Sequence, residues 1–160
     1  MPNFEKIWEK YPRGSIDEVK KKIGGNVNAD WIENSCAIRL SYTLNRAGHN
    51  ILQDGNETIS GYMSDDEKKQ HKKWHYYRFE KIEEYVKHHI EDFGEKIEIA
   101  SREQIAAAIK DKKGILFFHM PGQKTFTGHA ALWNMNTFAK NEDDHLNDDR
   151  VKSAIFIKMG

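Results

Sequence analysis

The chain of 160 residues holds a single cysteine, Cys36, and eight histidines that are its candidate bases. Cys36 follows Asn34-Ser35 and opens a stretch of helical periodicity, which places it at a helix N-terminus. There the macrodipole and the free N–H groups favour the thiolate, the reactive form of a thiol. The same N–H groups can hold an oxyanion when a carbonyl is attacked. A cysteine with only a packing role belongs further inside the helix, on its apolar face. Spacing alone leaves both readings open.

His129 is the strongest candidate for the base. It follows Gly128 at the start of a strand-like run, Ala130 to Trp133, after a loop containing Pro121, Gly122 and Thr127. A histidine displayed there can face a nucleophile on a packed helix, and the order Cys…His fits a papain-like dyad. His119, at a strand end, is its one serious rival. His49 lies in a turn, His88 and His89 on a helix, and His145 in an acidic loop. His71 and His75 are four apart, but no third ligand stands at a recognisable spacing, so no metal site is expected. The group that orients the imidazole is open between Asn134, Asp143 and Asp144. Asn134 follows His129 by an odd offset, which on a strand turns it to the opposite face. The two aspartates lie in the loop before the last strand.

These residues need elements to hold them. Phe4, Ile7 and Trp8 have one-sided helical spacing, and Pro12-Arg13-Gly14 ends that helix. Ser15-Ile16-Asp17-Glu18 is a capping box that opens a second helix, closed by Gly24-Gly25. The third helix runs from Cys36 to about Ala47, with Ala37, Leu40, Leu44 and Ala47 as its core stripe. Residues 51–73 read as a long surface loop with at most a helical turn, and Trp74 to Tyr77 as a short strand. Phe79 to Phe93 is one helix by its spacing, and Ile97 and Ile99 mark a brief strand. Ser101-Arg102-Glu103-Gln104 is a second capping box, opening a helix that Lys113-Gly114 closes. Ile115 to Met120, Gly128 to Trp133 and Ser153 to Met159 are strand-like. Helices then fill the first two-thirds and an antiparallel sheet the last third, which is an α+β domain spanning residues 1–160.

Composition narrows the function. Twenty-five basic and 25 acidic residues balance to a formal charge of zero, which argues against a nucleic-acid binder. No apolar run reaches the ~18 residues that span a bilayer, so no membrane insertion is expected. The first residues lack the apolar stretch of a signal peptide, so synthesis in the cytoplasm is expected, with any export by a route that needs no such signal.

The stretch from Asn34 to Asn45 resembles the nucleophile helix of the fourth family of type VI secretion amidase effectors. Ile23 to Val27, Trp74 to Arg78 and Gly128 to Asn134 resemble further blocks of that family, in the same order. The resemblance implies a papain-like hydrolase of the NlpC type that needs no cofactor. It implies delivery by the type VI secretion apparatus into the periplasm of rival bacteria. It implies cleavage of the γ-D-glutamyl–meso-diaminopimelate bond of peptidoglycan stems, and restraint by a cognate periplasmic immunity protein. Cys36 and His129 match its nucleophile and base. Its acid follows the histidine by roughly a dozen residues, which points to Asp143 or Asp144. Asn34, Ser35, Trp133 and Asn134 are the positions expected to touch substrate, with Trp74 and Tyr42 as further candidates for the cleft or the core. The rival readings are another cysteine hydrolase or acyltransferase on the same scaffold, and a binding module whose cysteine is structural.

Overall fold

The computed structural model describes residues 3–62 and 72–160. Helix α1 (Phe4–Lys10) starts at Asn3, whose Oδ1 accepts the Lys6 N–H at 2.8 Å. Helix α2 (Ile16–Ile23) has both hydrogen bonds of the expected Ser15–Glu18 capping box, and stops at Gly24, which takes φ of 70°. Helix α3 (Cys36–Arg46) carries the cysteine in its first position.

The expected surface loop is the main correction. Thr58–Tyr62 (β1) pairs antiparallel with Lys72–Tyr76 (β2), the strand expected near Trp74. A 3₁₀ turn, Gly55–Glu57, precedes β1. Pattern reading missed β1 because its residues, Thr-Ile-Ser-Gly-Tyr, carry little apolar alternation. His71 falls outside the described residues. His75 is fully buried and stacks on Tyr42, so neither Tyr42 nor His75 faces a cleft. Trp74 likewise packs against the core.

The hairpin explains why α3 is buried on every side from Cys36 to Asn45, and not only along the expected apolar stripe. Its polar residues grip β2: Ser41 Oγ accepts the Tyr76 N–H at 3.0 Å, and Asn45 Nδ2 donates to Trp74 O at 3.0 Å. Buried polar groups need such partners.

Phe79–His88 (α4) and Ile90–Phe93 (α5) replace the single expected helix, with the break at His89. Glu95–Ile99 (β3) follows. The second capping box does not form: Ser101 makes no side-chain cap, and a 3₁₀ turn leads into the short helix α6 (Ile105–Ile109). Lys113 and Gly114 then open β4 (Lys113–His119) and do not close a helix. β5 (Gly128–Asn134), β6 (Thr137–Phe138) and β7 (Ser153–Lys158) complete an antiparallel sheet of order β3-β7-β4-β5-β6.

Alternation along the central strands sends Ile115, Phe117, Ala130 and Leu132 into a core shared with α1, α3 and α4. Leu116, Phe118, Ala131, Trp133 and Phe156 face the other way, under Ile105 and Ile109 of α6. The architecture is α+β, with both sheet faces covered.

Candidate active site

Three side chains converge where the start of α3 meets the start of β5. Cys36 is buried, 3% exposed, and its side chain hydrogen-bonds the His129 ring. His129 Nε2 lies 2.8 Å from Asp143 Oδ1, which leaves Nδ1 for the sulfur. Asp143, 2% exposed, sits on a single 3₁₀ turn, Asn141–Asp143, fourteen residues after the histidine. Burial is the largest influence on His129 and opposes its charge. The hydrogen bonds to Asp143 and Cys36, with the negative charges of both, outweigh it and raise the imidazole to about 10. His129 is therefore an imidazolium at neutral pH.

Gly128 makes this placement possible. A Cβ there would lie 2.2 Å from Phe118 O and 2.4 Å from the Phe79 ring. Only glycine lets β5 approach β4 and α4 closely enough to bring His129 over Cys36.

Asn34 holds the backbone of Cys36: its Oδ1 accepts the Cys36 N–H at 3.1 Å. That donor, expected to serve an oxyanion, is occupied in this state, while the N–H groups of the next positions in the first turn of α3 lack intrahelical acceptors by helix geometry. Ser35 Oγ accepts from Arg39 Nε at 2.7 Å and makes no cap. A groove of about 680 Å³ runs past Asn34 and Ser35, walled by Trp31, Ile32, Tyr77 and Phe126. It continues into a smaller cleft of about 200 Å³ with Arg78, Glu80 and Lys124. None of the three converging residues lines the groove or its cleft, nor a cavity of about 700 Å³ bounded by His49, Tyr76, Tyr85 and His89; the groove adjoins the three through Asn34 and Ser35, which precede Cys36 in the chain.

The remaining candidates lie elsewhere. Asp144 is exposed, and its Oδ1 accepts the Leu146 N–H at 3.1 Å. Trp133 is buried against Phe138 and donates Nε1 to Ile109 O at 2.9 Å. Asn134 ends β5 opposite Lys113, roughly 16 Å along the strand from His129 at the usual rise. Neither Trp133 nor Asn134 reaches the groove, because both belong to the far end of the strand. His119 bonds Glu83 and Ser153 and makes no bond to Cys36. His145, read as an ordinary loop residue, packs edge-on against His129 with ring centroids 4.6 Å apart. Burial and the His129 charge push it below the usual imidazole value, against the pull of the Asp148 carboxylate 2.9 Å from its Nδ1. Trp31, Tyr77 and Phe126 were also missed; the 59% exposure of Trp31 is a surface property that a linear pattern does not carry. Among the described residues, no group of three or more His, Cys, Asp or Glu is placed to hold a metal ion, and no helix is long and apolar enough to cross a membrane.

The family model for type VI secretion system (T6SS) amidase effector protein 4, Tae4, matches residues 32–157. The chain belongs to this family of amidase effectors. The match spans Cys36, His129 and Asp143. No match is found among curated protein sequences. Solved Tae4 structures have the same fold. The Tae4–Tai4 effector–immunity structure from Salmonella typhimurium is 24% identical with a TM-score of 0.76, covering 99% of this chain and 98% of that one. The Tae4–Tai4 complex from Enterobacter cloacae is 22% identical with a TM-score of 0.78, covering 100% and 99%. Tae4 of Enterobacter cloacae alone is 23% identical with a TM-score of 0.78, covering 100% and 98%.

Proposed function

We propose that this effector cuts the γ-D-glutamyl–meso-diaminopimelate amide of peptidoglycan stems by cysteine nucleophilic catalysis on a papain-like, NlpC-type fold. The observation that carries the reading is the Cys36–His129–Asp143 constellation, with an imidazolium held between the cysteine sulfur and a buried carboxylate. In this reading the Cys36 thiolate, with the His129 imidazolium beside it, attacks the γ-D-glutamyl carbonyl and forms a tetrahedral oxyanion. For the Cys36 N–H to join the oxyanion's donors, the Asn34 side chain must yield its hydrogen bond. His129 then gives its proton to the leaving amine, and the C–N bond breaks to leave a thioester. Water, deprotonated by His129, hydrolyses the thioester and returns the thiol. Asp143 keeps Nε2–H engaged, so that Nδ1 always faces the sulfur.

The groove supports an extended peptide substrate: Trp31, Tyr77 and Phe126 give it aromatic walls, and Lys124 of the adjoining cleft offers a cation to a stem carboxylate. Target-cell periplasm is the site of action in this reading. A Tai4-like immunity protein is the partner, as the crystallised relatives are effector–immunity complexes. The test is mass spectrometry of Gram-negative peptidoglycan digested by the protein. Fragments ending at D-glutamate, paired with a free diaminopimelate amine, are expected. Cleavage at any other amide, or none, overturns the assignment of the bond.

A further inference from the structure

Tyr11 caps the C-terminus of α1, and the reaction described above makes no use of it. Its side chain is 3% exposed and packs in the same cluster as Cys36, Ala37 and Leu40. The phenol oxygen has no hydrogen-bond partner among the described residues, and neither has Asp143 Oδ2, the carboxylate oxygen that His129 leaves free. Buried donors and acceptors are almost always paired. Here a buried donor lacks an acceptor, and a buried acceptor lacks a donor. The two are also neighbours electrostatically: after burial itself, the charges that act most on Tyr11 are Asp143 and then Cys36, and all three influences push its hydroxyl well above the usual phenol range.

The backbone around Tyr11 is tied to both sides of the site. Arg39 of α3 donates Nη1 to Pro12 O at 2.8 Å and to Gly14 O at 2.7 Å. Arg13 donates Nη1 to Tyr11 O at 2.9 Å and Nε to Ala139 O at 3.2 Å, and Lys140 Nζ reaches Arg13 O at 3.3 Å. Residues 11–14 therefore span from the helix that carries Cys36 to the loop that carries Asp143.

We propose that Tyr11 is a positioning residue for the amidase reaction: its hydroxyl donates through one buried water to Asp143 Oδ2, and so fixes the carboxylate that orients His129. A carboxylate anchored at both oxygens does not rotate, and the Nε2–H it accepts keeps the imidazole plane aimed at the sulfur.

The test reads the His129 Nε2–H proton by NMR in wild type, Asp143→Asn and Tyr11→Phe. This downfield resonance is assigned by its change in Asp143→Asn, and is expected to be displaced or lost in Tyr11→Phe, which retains the ring. The kinetic expectation for Tyr11→Phe is a fall in kcat of about tenfold, the scale of one hydrogen bond, with KM little changed. In the Asp143→Asn background the same substitution should cost nothing further. An unmoved resonance, or an equal kcat loss in both backgrounds, overturns the proposal. Should Tyr11→Phe not fold, Tyr11→3-fluorotyrosine keeps the packing and strengthens the donor; the same resonance must then move, and its failure to do so is decisive against. The kinetic arm rests on the proposed function, so a wild type without turnover counts against that function. The resonance needs no substrate and decides on Tyr11 by itself.

Discussion

Asp143 and Asp144 are adjacent residues of identical chemistry, and the backbone gives them opposite fates. One turn of 3₁₀ helix points Asp143 inward to His129 and leaves Asp144 on the surface. Asp143→Asn should lower kcat/KM about a hundredfold or more, the scale of losing a general acid–base arrangement, whereas Asp144→Asn should stay near wild type. Steady-state kinetics on muropeptides separates the two. The raised His129 value sets a second expectation. Because the proposed mechanism has the imidazolium protonate the leaving amine, the alkaline limb of kcat/KM should fall near pH 10, and should move toward the ordinary imidazole value in Asp143→Asn. The stability linkage has the same sign. A group raised in the folded state contributes fully below its unfolded value of 6.5, and that contribution is lost as pH climbs through about 10. The Tm difference between wild type and His129→Gln should therefore shrink across that window; a constant difference would contradict it. Cys36 and His129 were legible in the sequence because each sits at an element boundary marked by its neighbours, Asn34-Ser35 and Gly128. The choice of Asp143 was not, since a loop's turn conformation depends on what it docks against.

At the scale of elements, the site depends on how closely β5, α3 and their neighbours approach. Gly128→Ala drives a methyl into Phe118 O and the Phe79 ring. It should cost about 1–3 kcal/mol by overpacking, and should slow turnover by displacing His129; urea unfolding and kinetics together check this. Asn45→Ala removes the donor to Trp74 O, which anchors β2 on α3, and the acceptor of the Ile51 N–H, which anchors the chain between α3 and β1. A loss of about 1–3 kcal/mol is expected for the groups left unpaired, measured in the same way. The helices α1 to α3 and the strands β4, β5 and β7 were readable from capping residues and apolar runs. The hairpin was not, because β1 is polar and gains its burial only by packing on Ile23 and Val27, while its partner β2 lies on α3. The unexpected burial of Ser41, Thr43 and Asn45 is the same fact seen from the helix. Pattern alone takes a polar helix face for a solvated one, and here that face is where the hairpin binds.

For the molecule as a whole, the α+β class followed from the order of elements, and the family match to residues 32–157 agrees with the resemblance carried by the nucleophile block. The groove was not legible, since Trp31, Tyr77 and Phe126 lie far apart in the chain and meet only in the fold. The central claim is that Cys36 is the nucleophile of a wall amidase. The most direct measurement is muropeptide release from purified Gram-negative peptidoglycan by wild type and by Cys36→Ala side by side, with circular dichroism confirming that both are folded. Release of D-glutamate-terminated fragments by wild type alone is the predicted result. Equal release by folded Cys36→Ala would contradict the account.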